Sequence, residues 1–476
     1  MPAGSAAALR SRRPAQRVER CQGTQQAAPG SCGSAAQHQH IRAQQQLDQV
    51  LLYLGKHGSH VGHIQLKNDP CWSASLFQLP GNLRLSSLQL ESLCLHLRPH
   101  CSIQGVLGDA AVVAGLKQGR LRWCQLFDDD EELAAALMRL PPGLEHLSIY
   151  GMYSESDLDD RKQPVCVPVD ALQQLLQLTF LELSCSIKQG PDKACPALQP
   201  LTALTRLVDL RLHGVEVDGG DGHSVISAAM LSGAYLLTRL QLSGVVEVEP
   251  GVLTGKTKLQ HLQLVECVLL GRDGEAQLLS RLQPLQQLTH LSLRETLRSG
   301  DSSPASYSAL TASSKLEDLD ISWCKLPDGV WQHVFPAGRQ LPQLRWLNLE
   351  IPETQSNWPA EAPGNSSLVS CCPSLQDLNI EGLQCTTELL VALRGLSGLR
   401  CLRVDTGEGV DALPADGPLT ELRELFVACF STSKEGLLLQ PTQLKQLTGL
   451  TYLGPFDGTN DDIVLEQRVS AWLPLF

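Results

Sequence analysis

The sequence predicts an α/β solenoid, with parallel strands on its concave face and helices on its convex face. The pattern L-x-x-L-x-L recurs fifteen times along the chain, and segments of helical periodicity lie between the copies. Aromatic residues make up only 4% of the chain, so we expect a core built from aliphatic side chains. Alternation within L-x-L is typical of a strand with one buried face, and a recurring pattern predicts stacked units.

The copies of the pattern are regular in the middle of the chain and degenerate at its ends. Eleven copies begin at Leu144, Leu178, Leu207, Leu237, Leu259, Leu288, Leu316, Leu344, Leu375, Leu399 and Leu422. Conservative replacements add copies that begin at Val61, Leu85 and Leu121, and a last copy begins at Leu450. Segments of helical periodicity between the copies include Asp128–Leu140, Val169–Leu178, Glu275–Leu288 and Cys385–Leu396. One unit cannot bury its apolar face alone, so each depends on its neighbours.

The pattern divides the chain into four parts. Residues 61–455 form the predicted array of about fifteen units, and residues 41–60 and 456–476 are predicted to cap its two ends. Residues 1–40 lack hydrophobic periodicity, and we expect a disordered leader. The leader carries five arginines and one glutamate, so an organellar transit peptide is the alternative.

Charge and cysteine content limit the class of function. The chain has a net charge of −12, which disfavours nucleic-acid binding because a phosphate backbone demands clustered cations. Its 16 cysteines are sparse for this length and favour a reduced intracellular protein. We expect a cytoplasmic location, with nuclear, ciliary, cytoskeletal or organellar locations as alternatives. The apolar segment from Gly222 to Thr238 is too short and too polar to predict a membrane span.

Several groups could suggest a metal site or catalysis, but a structural role fits each better. His57, His60 and His63 lack a fourth ligand nearby in the sequence. The cluster Cys94, His96, His100 and Cys101 would form a very tight ring, and Cys94 fits the apolar rhythm. The acidic run 128–132 suits a helix N-terminus, and Asp218 and Asp221 suit a turn. We therefore expect no cofactor, no bound metal and no catalytic set.

The third, fifth and seventh positions of each copy are predicted to face the concave side. They give an early aromatic zone, a middle basic zone and a late acidic zone. The predicted partner-binding residues are Trp123, Phe127, Tyr150, Phe180, Arg211, His213, Arg239, His261, His290, Arg294, Asp318, Asp320, Glu350, Asp377, Glu381 and Asp405. Glu350, Glu381 and Asp405 would be stacked like charges. Either the nearby arginines 345, 400, 403 and 423 neutralise them, or a basic segment of a partner does.

From residue 41 onwards the chain resembles the leucine-rich-repeat superfamily. The segment LEDLDISWCKLPDG, from Leu316 to Gly329, is similar to its cysteine-containing and ribonuclease-inhibitor-like repeats. The family places Asn or Cys after the strand, where that residue hydrogen-bonds loop backbone. Cys267 and Cys324 stand there, but other copies have Val215, Val245, Leu383 and Phe430. The sequence therefore does not predict a regular ladder.

The resemblance implies a module that binds another protein, and we expect a monomer that is not an enzyme. The segment LDQVLLYLGKHGSHVGHIQL, residues 47–66, is similar to the junction before the repeats of F-box ubiquitin-ligase receptors, although residues 1–40 contain no F-box. A ubiquitin-ligase adaptor is therefore a second expected partner. A regulator such as a small-GTPase-activating protein, or a cytoskeletal or ciliary component, is the alternative.

Overall fold

The structure is a computed structural model of the whole chain. It describes residues 63–67, 92–97, 116, 118–124, 138, 140–152, 172–184, 187–188, 199–213, 217–218, 225–244, 247–351, 365–383, 389, 392–405, 421–428 and 452–455. The predicted leader, both predicted caps, Phe127 and the acidic run 128–132 lie outside these residues.

A fifteen-stranded parallel sheet runs through the described part of the chain. The strands are β1 (His63–Lys67), β2 (Ser92–Leu97), β3 (Gln118–Cys124), β4 (His146–Met152), β5 (Phe180–Ser184), β6 (Ile187–Lys188), β7 (Asp209–His213), β8 (Val217–Asp218), β9 (Val225–Ile226), β10 (Arg239–Ser243), β11 (Glu247–Val248), β12 (His261–Val265), β13 (Val268–Leu269), β14 (His290–Ser292), β15 (Asp318–Asp320), β16 (Trp346–Asn348), β17 (Asp377–Ile380), β18 (Cys401–Asp405), β19 (Glu424–Ala428) and β20 (Tyr452–Pro455). Fifteen of them pair in chain order: β1–β5, β7, β10, β12 and β14–β20. The fifteen predicted units are thus confirmed as fifteen strands of an α/β solenoid.

The core is a stack of aliphatic columns behind this sheet. Each regular copy contributes its three anchors, such as Leu237, Leu240 and Leu242, all 0% exposed. The next repeat places Leu259, Leu262 and Leu264 beside them. Since burying one leucine stabilises a fold by about 1.5–3 kcal/mol, the repeated anchors dominate the stability of the stack.

The strand register corrects the predicted boundaries of the second and third repeats. Leu93 and Leu95 pair with Gly119 and Leu121, and Gly119 and Leu121 pair with Leu147 and Ile149. Leu116 is buried in the place of the first anchor of the third repeat. These two copies therefore begin at Leu90, five residues after the predicted Leu85, and at Leu116, five residues before the predicted Leu121.

The convex side is helical in only some of the described repeats. The helices are α1 (Gly274–Leu282), α2 (Trp331–Val334) and α3 (Asn365–Cys371), and 3-10 helices cover Gln199–Ala203, Pro250–Leu253 and Pro304–Thr311. The predicted helix 275–288 is confirmed as far as Leu282. Residues 172–178, predicted to be helical, form a 3-10 turn and further turns. In the repeats around β10 the two-residue strands β9, β11 and β13 form a small sheet of their own.

A ladder of shared carbonyls fixes the N-terminal ends of the strands. The carbonyl oxygen of the residue before each strand accepts two N–H groups from the next repeat, at 2.6–3.1 Å. Ten successive acceptors follow this scheme: Glu145, Thr179, Val208, Thr238, Gln260, Thr289, Glu317, Arg345, Gln376 and Arg400. The hydroxyls of Thr179, Thr238 and Thr289 donate to the same carbonyls as their own N–H groups. This ladder holds adjacent strands in one register.

A second ladder, which the sequence did not predict, forms after the strands in three repeats. The Cys267 thiol donates to the Leu242 carbonyl at 3.6 Å, the Thr296 hydroxyl to the Leu264 carbonyl at 2.9 Å, and the Cys324 thiol to the Leu293 carbonyl at 2.9 Å. Each of these side chains is buried. The residue before each of them has a positive φ: 56° at Glu266, 53° at Glu295 and 59° at Trp323. Threonine takes the place of cysteine here, which the pattern of Cys and Asn alone did not anticipate.

We predict that Leu291→Asp abolishes the cooperative melting of the repeats around β14. Leu291 is only 2% exposed, and an unpaired carboxylate in the leucine core costs several kcal/mol. Thermal unfolding followed by circular dichroism measures this. Thr257→Asp, in an exposed turn before β12, is the control and should melt like the wild type. Wild-type melting of Leu291→Asp would contradict the register.

We also predict that Thr296→Val lowers the free energy of unfolding by about 1–3 kcal/mol, because the Leu264 carbonyl loses a buried donor and the Cys267 N–H loses its acceptor. Thr296→Cys should recover much of the loss, since a thiol serves in the two neighbouring repeats. Chemical denaturation measures both, with the exposed Thr254→Val as control. Equal stability of Thr296→Val and the wild type would show that the second ladder is dispensable.

Candidate binding surface

The concave face is the sheet face opposite the leucine core, and the strand register arranges its side chains in rows. The first concave row runs through His146, Phe180, Asp209, Arg239, His261, His290, Asp318, Trp346, Asp377, Cys401 and Glu424. The second runs through Ser148, Glu182, Arg211, Gln241, Gln263, Ser292, Asp320, Asn348, Asn379, Arg403 and Phe426. Neighbours in a row lie about 4.8 Å apart, so they interact directly.

Asp209 organises the charges in the middle of the face. Its carboxylate accepts two hydrogen bonds from Arg211, at 3.1 and 2.9 Å, and lies 3.7 Å from Arg239. The guanidinium of Arg211 also lies 5.1 Å from the centre of the Phe180 ring, which stacks on His146 at 5.7 Å. The predicted basic residues Arg211 and Arg239 are thus on the concave face, but they share a carboxylate that the prediction omitted.

Three predicted histidines lie on the same part of the face. The His261 and His290 rings are 5.0 Å apart, and His290 Nε2 is 2.7 Å from Asp318. Burial, with the charges of Arg239 and His290, lowers the pKa of His261 to about 4. Its Nδ1 is buried without a hydrogen-bond partner among the described residues. His213 contacts Ser243 at 2.7 Å, and burial lowers its pKa despite the opposing effect of Glu182.

The late part of the first concave row alternates carboxylates with a tryptophan. Trp346 pairs in register with Asp318 on one side and with Asp377 on the other, and its side chain is half-buried. Burial raises the pKa of Asp377, and the charges of Glu424 and Asp318 raise it further against Arg400 and Arg403. Burial also raises the pKa of Asp318, although His290 opposes that effect. Ionising these two carboxylates therefore costs more free energy than usual. A further cation nearby would reduce that cost.

Two of the predicted acidic residues are largely buried and serve the turn after the strand. Asp320 is 9% exposed, and it accepts the Ser322 N–H at 3.1 Å and the Ser292 hydroxyl at 3.1 Å. Asn348 and Asn379 accept the N–H two residues later in the same way. Glu381 is 8% exposed, next to Gly382, where a Cβ would come within 2.1 Å of the Ile351 carbonyl. Asp320 and Glu381 were predicted to face the concave side and bind a partner, but both are largely buried, because close packing of successive turns covers them.

Glu350 is held by neutral donors. It accepts the Trp323 indole N–H at 2.9 Å and the Asn379 amide at 3.2 Å. The guanidinium of Arg294 lies 5.7 Å from the centre of the Trp323 ring. Trp323 therefore contacts two predicted residues: its indole N–H donates to Glu350, and its ring lies beside the guanidinium of Arg294. In this way it connects the late acidic zone with the middle zone. The side chain of Asp405 lies outside the described residues, so its stacking on Glu381 remains a prediction.

The early aromatic zone is described in part. Phe180 lies on the first concave row, as predicted. Tyr150 is in β4, and its side chain lies outside the described residues, as does that of Trp123. The concave placement of Trp123 and Phe127 rested on the third repeat beginning at Leu121. Trp123 instead pairs with Gly151, five residues after the start of its strand, so that placement no longer follows.

Sequence reasoning missed Asp209, Trp323 and Trp346. It named Arg403 only as a neutralising cation and did not pair it with Phe426, whose ring centre lies 4.6 Å from the guanidinium. Trp346 and Arg403 occupy positions of the repeat that the pattern already assigned to the concave face. The predicted set of partner-binding residues kept only those that matched the aromatic, basic or acidic character of their zone, so these two were left out of it. Trp323 follows the last concave position and had no signal in the pattern.

The described residues contain no group of three or more His, Cys, Asp or Glu side chains able to hold a metal. Within the same part of the chain, no helix is long and apolar enough to cross a membrane. The histidines 57 and 60 and the cysteine–histidine cluster at 94–101 lie wholly or partly outside the described side chains.

We predict that His261 makes the fold less stable in mild acid. The unfolded chain takes up this proton near the ordinary pKa of 6.5, but the folded chain only near about 4. Its contribution is therefore fully present above that ordinary pKa and is lost as the pH falls towards the folded pKa. His261→Gln should show a smaller drop in Tm between about pH 7 and about pH 5 than the wild type. His333→Gln, on α2, is the control; an unchanged drop in His261→Gln would contradict the assignment.

Comparisons with known proteins were made at three levels. No family model matches the chain, and no curated protein matches it. Among solved structures, the chain is similar to an internalin, InlF, from Listeria monocytogenes, with 16% identity, a TM-score of 0.41 and coverage of 75% of this chain and 94% of that one. It is also similar to the ectodomain of the plant receptor kinase GASSHO1/SCHENGEN3 from Arabidopsis thaliana, crystallised with CASPARIAN STRIP INTEGRITY FACTOR 2, with 17% identity, a TM-score of 0.41 and coverage of 80% and 46%. A third similar structure is the TLR13–ssRNA13 complex, with 17% identity, a TM-score of 0.45 and coverage of 78% and 55%.

The chain spans about half the length of the last two structures. Similarity at this level does not indicate what the chain binds. Its own geometry is more informative: fifteen parallel strands in chain order, leucine anchors behind them, and cysteine and threonine ladders after the strands. On these features, the chain has the leucine-rich-repeat fold.

Proposed function

We propose that the chain is a protein-binding module whose partner lies on the concave face and places a basic segment against β15–β19. The observation that carries this proposal is the row Asp318, Trp346, Asp377, in which an indole stands between two carboxylates. An aromatic ring beside fixed negative charge suits a guanidinium or ammonium group, through cation–π and charge interactions together.

The electrostatics of the two halves of the face support this placement. In the middle of the face, the Asp209 carboxylate pairs with Arg211 and Arg239, and His290 lies against the Asp318 carboxylate. In the late half, burial and neighbouring acids raise the pKa of Asp377 in spite of two nearby arginines. A bound cation would relieve that repulsion, so we place the basic segment over Asp377 and Trp346. Tryptophan is also enriched among residues that dominate binding energy.

The finer proposal is that the module reads substrates for a ubiquitin ligase in the cytoplasm. It rests on the resemblance of residues 47–66 to the junction before F-box receptor repeats, a segment mostly outside the described residues. Co-purification of the intact chain with a Skp-type adaptor tests it directly. Absence of the adaptor from a complex that still contains another partner would remove the ligase role and leave the binding module.

We predict that Trp346→Ala combined with Asp377→Asn reduces partner recovery about tenfold or more, since each removes part of the cation site. Affinity purification of the full chain followed by quantitative mass spectrometry measures the loss. Asp328→Asn and Asp301→Asn, two exposed acids outside the concave rows, form the matched control. Melting curves should stay similar for both variants. Equal loss of partners in both, or in neither, would contradict the proposed site.

A further inference from the structure

We propose that a second surface, the N-terminal edge of the sheet, binds an acidic segment of a polypeptide. This edge consists of the residues that immediately precede the strands of the large sheet. Six exposed cations lie along it in the described residues: Arg423, before β19, and the set Arg206, Lys258, Lys315, Arg345 and Arg400. We call this set the basic edge. It is distinct from the concave site and goes beyond the function proposed above.

The shared-carbonyl ladder sets the spacing of the basic edge. Arg206, Lys258 and Lys315 each stand three residues before a strand, namely β7, β12 and β15. These are every second strand in the sheet order, so the three side chains repeat at about 9–10 Å. Arg345 and Arg400 stand one residue before β16 and β18, which are again two strands apart.

Three of the five cations are held by neutral glutamines of the preceding repeat. Arg206 donates to the side-chain oxygen of Gln177, and Lys315 donates to that of Gln287. Arg400 donates to Gln376 at 3.4 Å. A glutamine orients the cation along the edge but carries no charge to cancel it. The same arrangement therefore recurs three times and each time leaves the positive charge available.

Some cations elsewhere on the described surface are paired with carboxylates. Arg211 and Arg239 share the Asp209 carboxylate, and Arg298 lies 3.4 Å from Glu295. No member of the basic edge forms an ion pair with a carboxylate in the part of the chain that the structure describes. The basic edge therefore presents a row of exposed positive charge in a chain whose net charge is −12, and Arg345 and Arg400 at its late end act on the carboxylates of Asp318 and Asp377.

Acidic residues on the same edge do not interrupt the set. Glu145 lies near the early end of the sheet, before Arg206, and Glu421 lies beyond Arg400. Glu317 is half-buried between Lys315 and Arg345, and its charge raises the pKa of Asp318 while Arg345 lowers it. Glu317 thus reduces the positive charge of the edge at one point, between Lys315 and Arg345.

The spacing and the overall charge favour an acidic polypeptide over a nucleic acid or a lipid surface. Three residues of extended chain span about 10 Å, so acidic side chains at every third position match cations two strands apart. From β7 to β18 the edge covers about 34 Å, roughly ten residues of such a segment. A strongly negative chain repels a long polyanion beyond the few residues that touch the edge, because nucleic-acid affinity depends on many phosphate contacts.

The test uses the full chain and a fluorescent Glu-Gly-Ser repeat peptide of roughly a dozen residues. We expect binding, measured by fluorescence anisotropy, that weakens as salt is raised. Arg206→Gln, Lys258→Gln and Lys315→Gln together should weaken it about tenfold, as expected for three exposed charge pairs. The matched control combines Arg272→Gln, Arg281→Gln and Arg298→Gln, three exposed cations away from the edge, and should bind like the wild type.

Three results would overturn the proposal. An equal loss in the control variant would mean that only net charge matters. Tighter binding of a single-stranded oligouridine, or of phosphatidylserine vesicles, than of the peptide would assign the edge to another class of partner. No binding of the peptide even at low salt would remove the surface. The Trp346→Ala, Asp377→Asn variant keeps Arg206, Lys258 and Lys315 and removes a negative charge near Arg400, so it should bind the peptide at least as tightly as the wild type. Failure of the concave site and failure of the basic edge are therefore distinguishable.

Discussion

Each repeat of this chain is tied to the next by one backbone carbonyl that accepts two N–H groups, and ten such carbonyls follow one another from Glu145 to Arg400. Because the acceptor is always the residue before the strand, adjacent strands cannot slip relative to one another without losing both bonds. This register also determines which leucine anchors lie side by side behind the sheet and which side chains lie side by side in front of it. Burial supplies most of the stability, but the shared carbonyl determines which side chains become neighbours.

The same constraint gives each surface of the solenoid its chemistry. Residues separated by 22 to 34 positions in the sequence become adjacent members of one row, so the charges of neighbouring repeats balance or oppose one another. In the middle of the concave face, Asp209 and the arginines from two repeats satisfy one another. In the late repeats, Asp318 and Asp377 flank Trp346, and at the N-terminal edge glutamines hold cations without neutralising them. These two places are where a partner has most to contribute.

Most of the fold could be predicted from the pattern, and the two misplaced repeats show where the pattern is ambiguous. Leu85, Leu88 and Leu90 match it, but so do Leu90, Leu93 and Leu95, and the two matches share Leu90. The third repeat has the same overlap at Leu121, and there Gly119 replaces an anchor and hides the true copy. Only pairing with Leu147 and Ile149 distinguishes the alternatives. The concave placement of Trp123 depended on that choice.

The sequence by itself determined the number of repeats, the aliphatic core and the face on which Arg211, His290 and Asp377 lie, since these follow from period-two alternation repeated at a near-constant spacing. Only the tertiary structure decided which of those residues are exposed and able to contact a partner. Asp320 and Glu381 occupy the predicted positions but are buried, because the turns after their strands pack closely against the next repeat. Pairing is likewise decided between repeats: Asp209 neutralises arginines, and Gln177 does not neutralise Arg206. A periodic pattern specifies the direction of a side chain, whereas its exposure and its charge partners depend on residues supplied by the neighbouring repeat.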